Sequence, residues 1–232
     1  MKRKFNHIAV IPARKNSKSL PFKNRLLFKY TAEFLKNSEL FDKIYVNSDD
    51  PHLKDLAKQY GFIFFKRQKK LANDTTCIKK VFTDMKLKLK LPSKTFIWLF
   101  YIPIVYKDFN DFKKSIKLVE NKKLKSICGF KEVDTHPLNT WYLKKNKPFQ
   151  FVKNNICRRQ DLPKAYSHHH YICGFNIKYL HELNNELIFK NTFPILINKK
   201  TSKNLIEVDT REELKKLKEI SKNEKTKNKK FK

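Results

Sequence analysis

Short apolar runs alternate with amphipathic stretches along most of the chain. His7 to Ile11 is apolar from Ile8 onward and stops at Pro12, which predicts an opening strand. Lys43 to Asn47 (KIYVN) and Gly61 to Phe65 (GFIFF) predict two more. Thr95 to Tyr101 (TFIWLFY) predicts a fourth, and its unbroken apolarity is that of a central strand covered on both faces. Between these runs, Leu53, Leu56, Ala57 and Tyr60 repeat at helical spacing, with Pro51 as first helical residue and Asp50 as its N-cap. Ile78, Val81, Phe82, Met85 and Leu89 form a second stripe, and Phe109, Phe112, Ile116 and Val119 a third. A last helix is marked by Leu214, Leu217 and Ile220, opened by Thr210 and Glu213 at capping-box spacing. Such alternation predicts an α/β fold: a mostly parallel sheet with helices on both faces and a ligand beyond the carboxyl ends of its strands. From about Lys131 to Ala165 the rhythm breaks around Pro137, Pro148 and Pro163, which predicts an insertion or an oligomerisation arm.

Composition narrows the function. The chain has 232 residues, enough for one α/β domain over 1–221. Residues 222–232, rich in lysine with a single aromatic, cannot bury a face and are expected to form a basic disordered tail. Only three glycines occur, Gly61, Gly129 and Gly174, so neither a G-x-G-x-x-G fingerprint nor a Walker-type phosphate loop can be built. Cys77, Cys128, Cys157 and Cys173 form no C-x-x-C pair, which argues for reduced, mostly buried thiols. No run approaches the length of a membrane span, and the apolar run after Lys2, Arg3 and Lys4 is too short for a signal peptide, so a cytoplasmic protein is expected. Lys plus Arg is 53 against 22 Asp plus Glu, a net charge of +31. The lysines are spread along the chain and arginine is rare, which fits a compositional bias better than a dedicated nucleic-acid surface. A basic surface would still attract an anionic small substrate.

The segment that follows the opening strand carries the chemistry. Residues 11–24 read Ile-Pro-Ala-Arg-Lys-Asn-Ser-Lys-Ser-Leu-Pro-Phe-Lys-Asn. This loop holds Arg14, Lys15, Lys18 and Lys23 with the hydroxyls of Ser17 and Ser19, between two stiffening prolines. Such a loop can cradle a triphosphate without glycines, and on charge alone it is equally a solvated basic loop.

The order of residues resembles the nucleotide-binding signature of the CMP-sialic acid synthetases, the acylneuraminate cytidylyltransferase family: I-P-A-R-x-x-S-K-x-x-P-x-K-N. The similarity recurs in Tyr45 to Asp50, in Tyr60-Gly61, and in Arg67 with Leu71-Ala72-Asn73-Asp74. Arg159-Gln160-Asp161-Leu162-Pro163 with Tyr166, and Ile206 to Thr210, continue it to about residue 215. The resemblance implies a Rossmann-like, doubly wound, mostly parallel sheet with a small dimerisation arm near 131–165, and a homodimer. It implies a reaction of CTP with a 2-keto sugar acid to give a CMP-sugar and pyrophosphate, in which positioning and charge neutralisation dominate. Arg14 and Lys23 are then the catalytic cations on the phosphates, and Ala13, Ser17, Asn24 and Arg67 complete the nucleotide site. Mg2+ is implied as cofactor, held at Glu207 and Asp209, where the family usually has two aspartates.

The acceptor side departs from the family. Its Q-P-T-S-P-L-R segment corresponds here to Leu99 to Val105, in which Pro103 survives and Tyr101 offers the one hydroxyl. Arg159 is expected on the substrate carboxylate with Gln160 beside it, and His168 and His170 are expected to line the acceptor pocket. His168 and His170 alternate on one strand and could share a ligand, but no carboxylate or cysteine close in sequence completes a metal set. Two rival readings remain: the same fold with another nucleotide or acidic sugar, and a degenerate member that binds polyanions.

Overall fold

The structure is a computed structural model, and it describes residues 3–16 and 19–217. In chain order the elements are β1 (Asn6–Ala13), α1 (Lys23–Ser38), β2 (Lys43–Ser48), α2 (Pro51–Tyr60), β3 (Ile63–Lys66), α3 (Ile78–Lys88) and β4 (Thr95–Leu99). Then follow α4 (Phe109–Lys122), β5 (Ser126–Glu132), β6 (Trp141–Lys144), β7 (Lys147–Gln150), β8 (Tyr166–Asn176), β9 (Thr192–Leu196) and α5 (Lys199–Asn204). Residues 211–217 are helical. The expected basic tail, 222–232, lies outside the described residues.

Seven strands form one sheet in the order β3-β2-β1-β4-β8-β5-β9. Every neighbouring pair is parallel except those made by β8, which runs antiparallel to both β4 and β5. The expected mostly parallel α/β sheet is therefore present, with one reversed strand. Winding proceeds outward from β1 through β2 to β3, then α3 carries the chain back across β1 to β4. The carboxyl ends of β1 and β4 thus flank a switch point, the place where such sheets bind ligands.

Burial explains why β1 and β4 read as unbroken apolar runs. Ile8 and Val10 of β1, with Ile97 and Leu99 of β4, pack on one side with Phe82, Met85 and Phe175. Ala9 and Ile11, with Phe96 and Trp98, pack on the other with Leu53, Phe112 and Val119. Alternate side chains point to opposite faces, so both faces must be covered when all are apolar. Gly174 is required where β8 crosses Trp98, because an added Cβ would sit 2.8 Å from a Phe96 ring carbon and 3.0 Å from the Ile97 carbonyl. His7 is part of this core. Its Nδ1 accepts from Trp98 Nε1 at 2.9 Å, which leaves Nε2–H to donate to Glu120 at 2.8 Å.

Local signals set the helix entries. Asp50 caps α2 by accepting from the His52 amide, with Pro51 in the first turn, as the sequence predicts. The buried Asp50 carboxylate also receives both arms of Arg25, at 2.7 and 2.8 Å, which ties α1 to the β2–α2 junction. Burial pushes that carboxyl up, yet its bonds from Arg25 and His52 bring it net below the ordinary aspartate value. The stretch expected to be irregular, 131–165, contains a structured hairpin: β6 and β7 pair antiparallel from Trp141↔Gln150 to Lys144↔Lys147. Among the described residues, no helix is long and apolar enough to cross a membrane, and all four cysteines are free thiols.

Candidate active site

The cleft at the switch point encloses about 310 Å³. β1 delivers Pro12 to it and the loop that follows delivers Arg14, α1 delivers Lys23 and Asn24 from its first turn, and the chain leaving β4 delivers Tyr101 and Pro103. Arg67, Asn73, Asp74 and Thr76 close one side, with Glu207 and Asp209 also in the lining. Residues separated by almost two hundred positions in sequence therefore share one cavity.

Two of its cations are held by its carboxylates. Lys23 Nζ bonds to an Asp209 carboxylate oxygen, and Arg14 pairs with Asp74. Asn24 donates to the Arg14 carbonyl at 2.8 Å, fastening the loop after β1 to the start of α1. Lys15 adds a second tie through its amide, which donates to Asp49 at 2.8 Å. The cleft is thus lined by three positive and three negative groups, two of each held in ion pairs that an anion and a cation entering together can exchange.

Arg67 is buried, which sets it apart from an ordinary surface cation. Its Nε donates to Asn47 Oδ1 at 2.6 Å and one terminal nitrogen to the Asn47 carbonyl at 3.0 Å. Burial pulls its pKa down to about 10, against the opposing pull of Asp49, so the guanidinium stays charged at neutral pH. A desolvated cation fixed on the end of β2 is preorganised for an anionic ligand.

Glu207 and Asp209 do not lie on a sheet strand. Glu207 makes an isolated bridge with Ile104, and the Val208 amide donates to the Pro103 carbonyl at 3.0 Å. This pinning brings both carboxylates into the cleft. Burial, then the neighbouring Asp209, raises the Glu207 pKa. The following helix is capped by Thr210, whose Oγ1 accepts from the Glu213 amide at 3.2 Å while Glu213 accepts from the Asp209 and Thr210 amides. The Asp209 side chain is therefore committed to the cleft and not to the cap. Two hard carboxylates side by side suit a divalent cation such as Mg2+.

The remaining expected residues lie elsewhere. Ala13 is buried in the core at the end of β1 and does not line the cleft, and Ser17 lies outside the described residues. Arg159 lines a separate depression with Glu132, His136 and Ala165, and Gln160 shares its short 3-10 turn. His170 packs edge-on against Tyr101 with ring centroids 5.3 Å apart, and His168 packs against His170 at 5.2 Å. The two histidines therefore reach the cleft wall through Tyr101. Of the apolar replacements after β4, Ile102 and Ile104 are buried in the core, so Tyr101 and Pro103 alone represent that segment in the cavity. Sequence reasoning missed Asn73, Asp74 and Thr76 as lining residues, the first two quoted only within a motif, and Asn47, whose hold on Arg67 spans adjacent strands.

Residues 8–95 match the family model described as cytidylyltransferase. The chain is 41% identical over 73 residues to the N-acylneuraminate cytidylyltransferase of Escherichia coli O18:K1:H7, covering 29% of this chain and 17% of that protein. It is 26% identical over 173 residues to the pseudaminic acid cytidylyltransferase of Campylobacter jejuni, covering 69% of this chain and 74% of that one. The chain spans less than a third of the length of some curated relatives it matches. Among solved structures, the fold is similar to that of CMP:2-keto-3-deoxy-manno-octonic acid synthetase complexed with CTP. The TM-score is 0.66 at 14% identity, covering 94% of this chain and 99% of that chain.

Proposed function

We infer that the chain is a cytidylyltransferase of the CMP-sialic acid synthetase type, and that its cleft binds CTP and transfers its cytidylyl group to a 2-keto sugar acid. The anomeric hydroxyl oxygen of the acid attacks the α-phosphorus, and the bond to pyrophosphate breaks. The observation that carries this reading is the convergence of Arg14, Lys23, Asn24 and Arg67 with Glu207 and Asp209 at the carboxyl ends of β1 and β4. Arg14 and Lys23 would exchange Asp74 and Asp209 for phosphate oxygens and offset charge developing on the leaving pyrophosphate. Arg67, already dry and oriented by Asn47, would add a fixed positive charge.

Glu207 and Asp209 are the residues that would hold Mg2+, which when bound supplies charge neutralisation at the phosphates. Lys23 released from Asp209 by that exchange becomes available to the triphosphate, so nucleotide and cation should favour each other's binding. On the acceptor side the cavity offers Tyr101 and Pro103 in place of the family's polar segment, which favours a less polar acid than N-acylneuraminate.

Arg159 and Gln160 belong to the arm that carries β6 and β7, whose Trp141, Leu143 and Phe151 are exposed. A homodimer formed through that arm would cover these apolar side chains and could bring Arg159 to a neighbouring acceptor site. Pyrophosphate release tests the function. CTP and UTP should be offered with N-acylneuraminate, pseudaminic acid and 2-keto-3-deoxy-manno-octonate, with Mg2+ or a chelator present. CTP- and acid-dependent release is expected, and release from no combination would overturn the reading.

A further inference from the structure

The sequence offers no nearby carboxylate to join the histidine pair, but the fold supplies one. Glu186 approaches from the turn after β8. Its carboxylate lies 3.4 Å from His168 Nε2 and 3.9 Å from His170 Nε2. One donor atom from each of the three residues falls within 4.8 Å of the other two. For a metal bound at about 2.0–2.1 Å with tetrahedral angles, donor atoms sit about 3.4 Å apart. The arrangement is therefore within small side-chain adjustments of a coordination edge.

Each of the three is positioned by its own backbone. β8 slips relative to β5 between Cys128 and Gly129, so His170, Tyr171 and Ile172 have no cross-strand partner there, and this bulge sets the angle of His170. His169 turns away and accepts the Tyr171 amide on Nδ1 at 3.0 Å, leaving His168 and His170 ring to ring. Glu186 sits in a closed turn. Asn184 Oδ1 accepts from both the Glu186 and Ile188 amides at 2.9 Å, and Leu187 anchors the turn in the core. The Glu186 carbonyl lies 3.1 Å from His170 Nε2, adding an oxygen at the same place.

We propose that His168, His170 and Glu186 form a binding site for a borderline transition-metal ion of the Zn2+ class, separate from the carboxylate pair at Glu207 and Asp209. Two imidazoles and one carboxylate are the donor set such ions prefer, whereas Mg2+ selects oxygen donors and water. Three protein ligands leave a coordination position open, as in sites that act on a ligand. The site adjoins Tyr101, whose ring lines the cleft, so the bound ion would lie beside the acceptor wall. The chain's charge of +31 works against loose cation uptake, so stoichiometric binding would report a built site.

The test uses the full chain without nucleotide, so its outcome does not depend on the proposed activity. Zn2+ is titrated calorimetrically, and Co2+ is followed by visible absorption in the presence of excess Mg2+. One ion per chain is expected, with Co2+ bands of low coordination number and no thiolate charge-transfer. His168→Ala and Glu186→Gln should each weaken Zn2+ binding about tenfold or more, while His181→Ala should leave it unchanged. All three positions are at least partly exposed, and unchanged circular dichroism confirms that the variants fold. Absence of uptake, uptake indifferent to both variants, or thiolate bands showing cysteine ligation would each overturn the proposal.

Discussion

Replacing Lys23 by alanine separates a catalytic cation from a structural one. The Lys23 side chain is 14% exposed and its partner Asp209 45% exposed. With its Asp209 end open to solvent, the pair stabilises the fold by about 1 kcal/mol. For a domain of this size, that corresponds to a melting-temperature change of only about 2–4 °C. Lys23 is also the first residue of α1, where alanine is well tolerated. Transition-state charge is another matter. A donor fixed in a cleft and directed at developing charge typically contributes on the order of 3 kcal/mol, and a tenfold loss corresponds to about 1.4 kcal/mol. Lys23→Ala should therefore lower kcat/KM for CTP at least about tenfold and up to about a thousandfold, while the melting temperature barely moves. The fall should lie more in kcat than in KM, because the leaving pyrophosphate needs the charge more than bound CTP does. Lys23→Arg should recover part of the loss. Turnover in Lys23→Ala equal to that of the unaltered chain would refute the assignment.

Further expectations follow from neighbouring groups. Asp209→Asn should abolish the dependence of pyrophosphate release on Mg2+ concentration along with most activity, while the helix after Thr210 keeps its cap. Retained Mg2+-dependent turnover would remove Asp209 from the metal site. Lys107 is half-buried, its ammonium donating to Thr31 Oγ1 at 3.0 Å and to the Ile104 carbonyl, and desolvation pushes its pKa down to about 7. Between that value and the unfolded value of about 10.4 the unfolded chain holds more protons, so this group's contribution to stability rises with pH. The melting temperature of Lys107→Met should exceed that of the unaltered chain most at or below about pH 7, and the gap should narrow towards about pH 10; parallel curves would contradict this. Replacing Leu143 and Phe151, 75% and 66% exposed, by lysine should shift a dimer to monomer in sedimentation, with the α/β core unaffected. An unchanged sedimentation coefficient would exclude the hairpin as the contact.

What the chain reveals by eye depends on whether a signal is local. β1 and β4 were legible because both faces of a central strand must be apolar, and α2 because Asp50 and Pro51 mark its entry. The sixteen-residue α1 gave no such mark. Its entry residue Phe22 is in the left-handed region at φ 57° with no side-chain cap, and Glu39 stands where glycine often ends a helix. Its buried stripe, Leu27, Phe28, Thr31, Ala32 and Leu35, was nevertheless present at helical spacing. β8 begins with exposed, polar residues and so lacks the alternation of a half-buried strand. In the cleft, the loop signature exposed Arg14 and Lys23 because its chemistry is contiguous. The burial of Arg67 was invisible, since it depends on Asn47 across a strand pair, and Glu186 was invisible as a partner of the histidines because a bulge and a distant turn bring them together.

Whether the cleft between β1 and β4 takes a cytosine triphosphate decides the proposed function. Titrating CTP into the folded chain in a calorimeter, with and without Mg2+, should give one saturable site per chain that Mg2+ tightens and that Arg14→Ala or Lys23→Ala weakens. No heat of binding and no retention of CTP in equilibrium dialysis, from protein whose circular dichroism is that of the intact α/β domain, would contradict it.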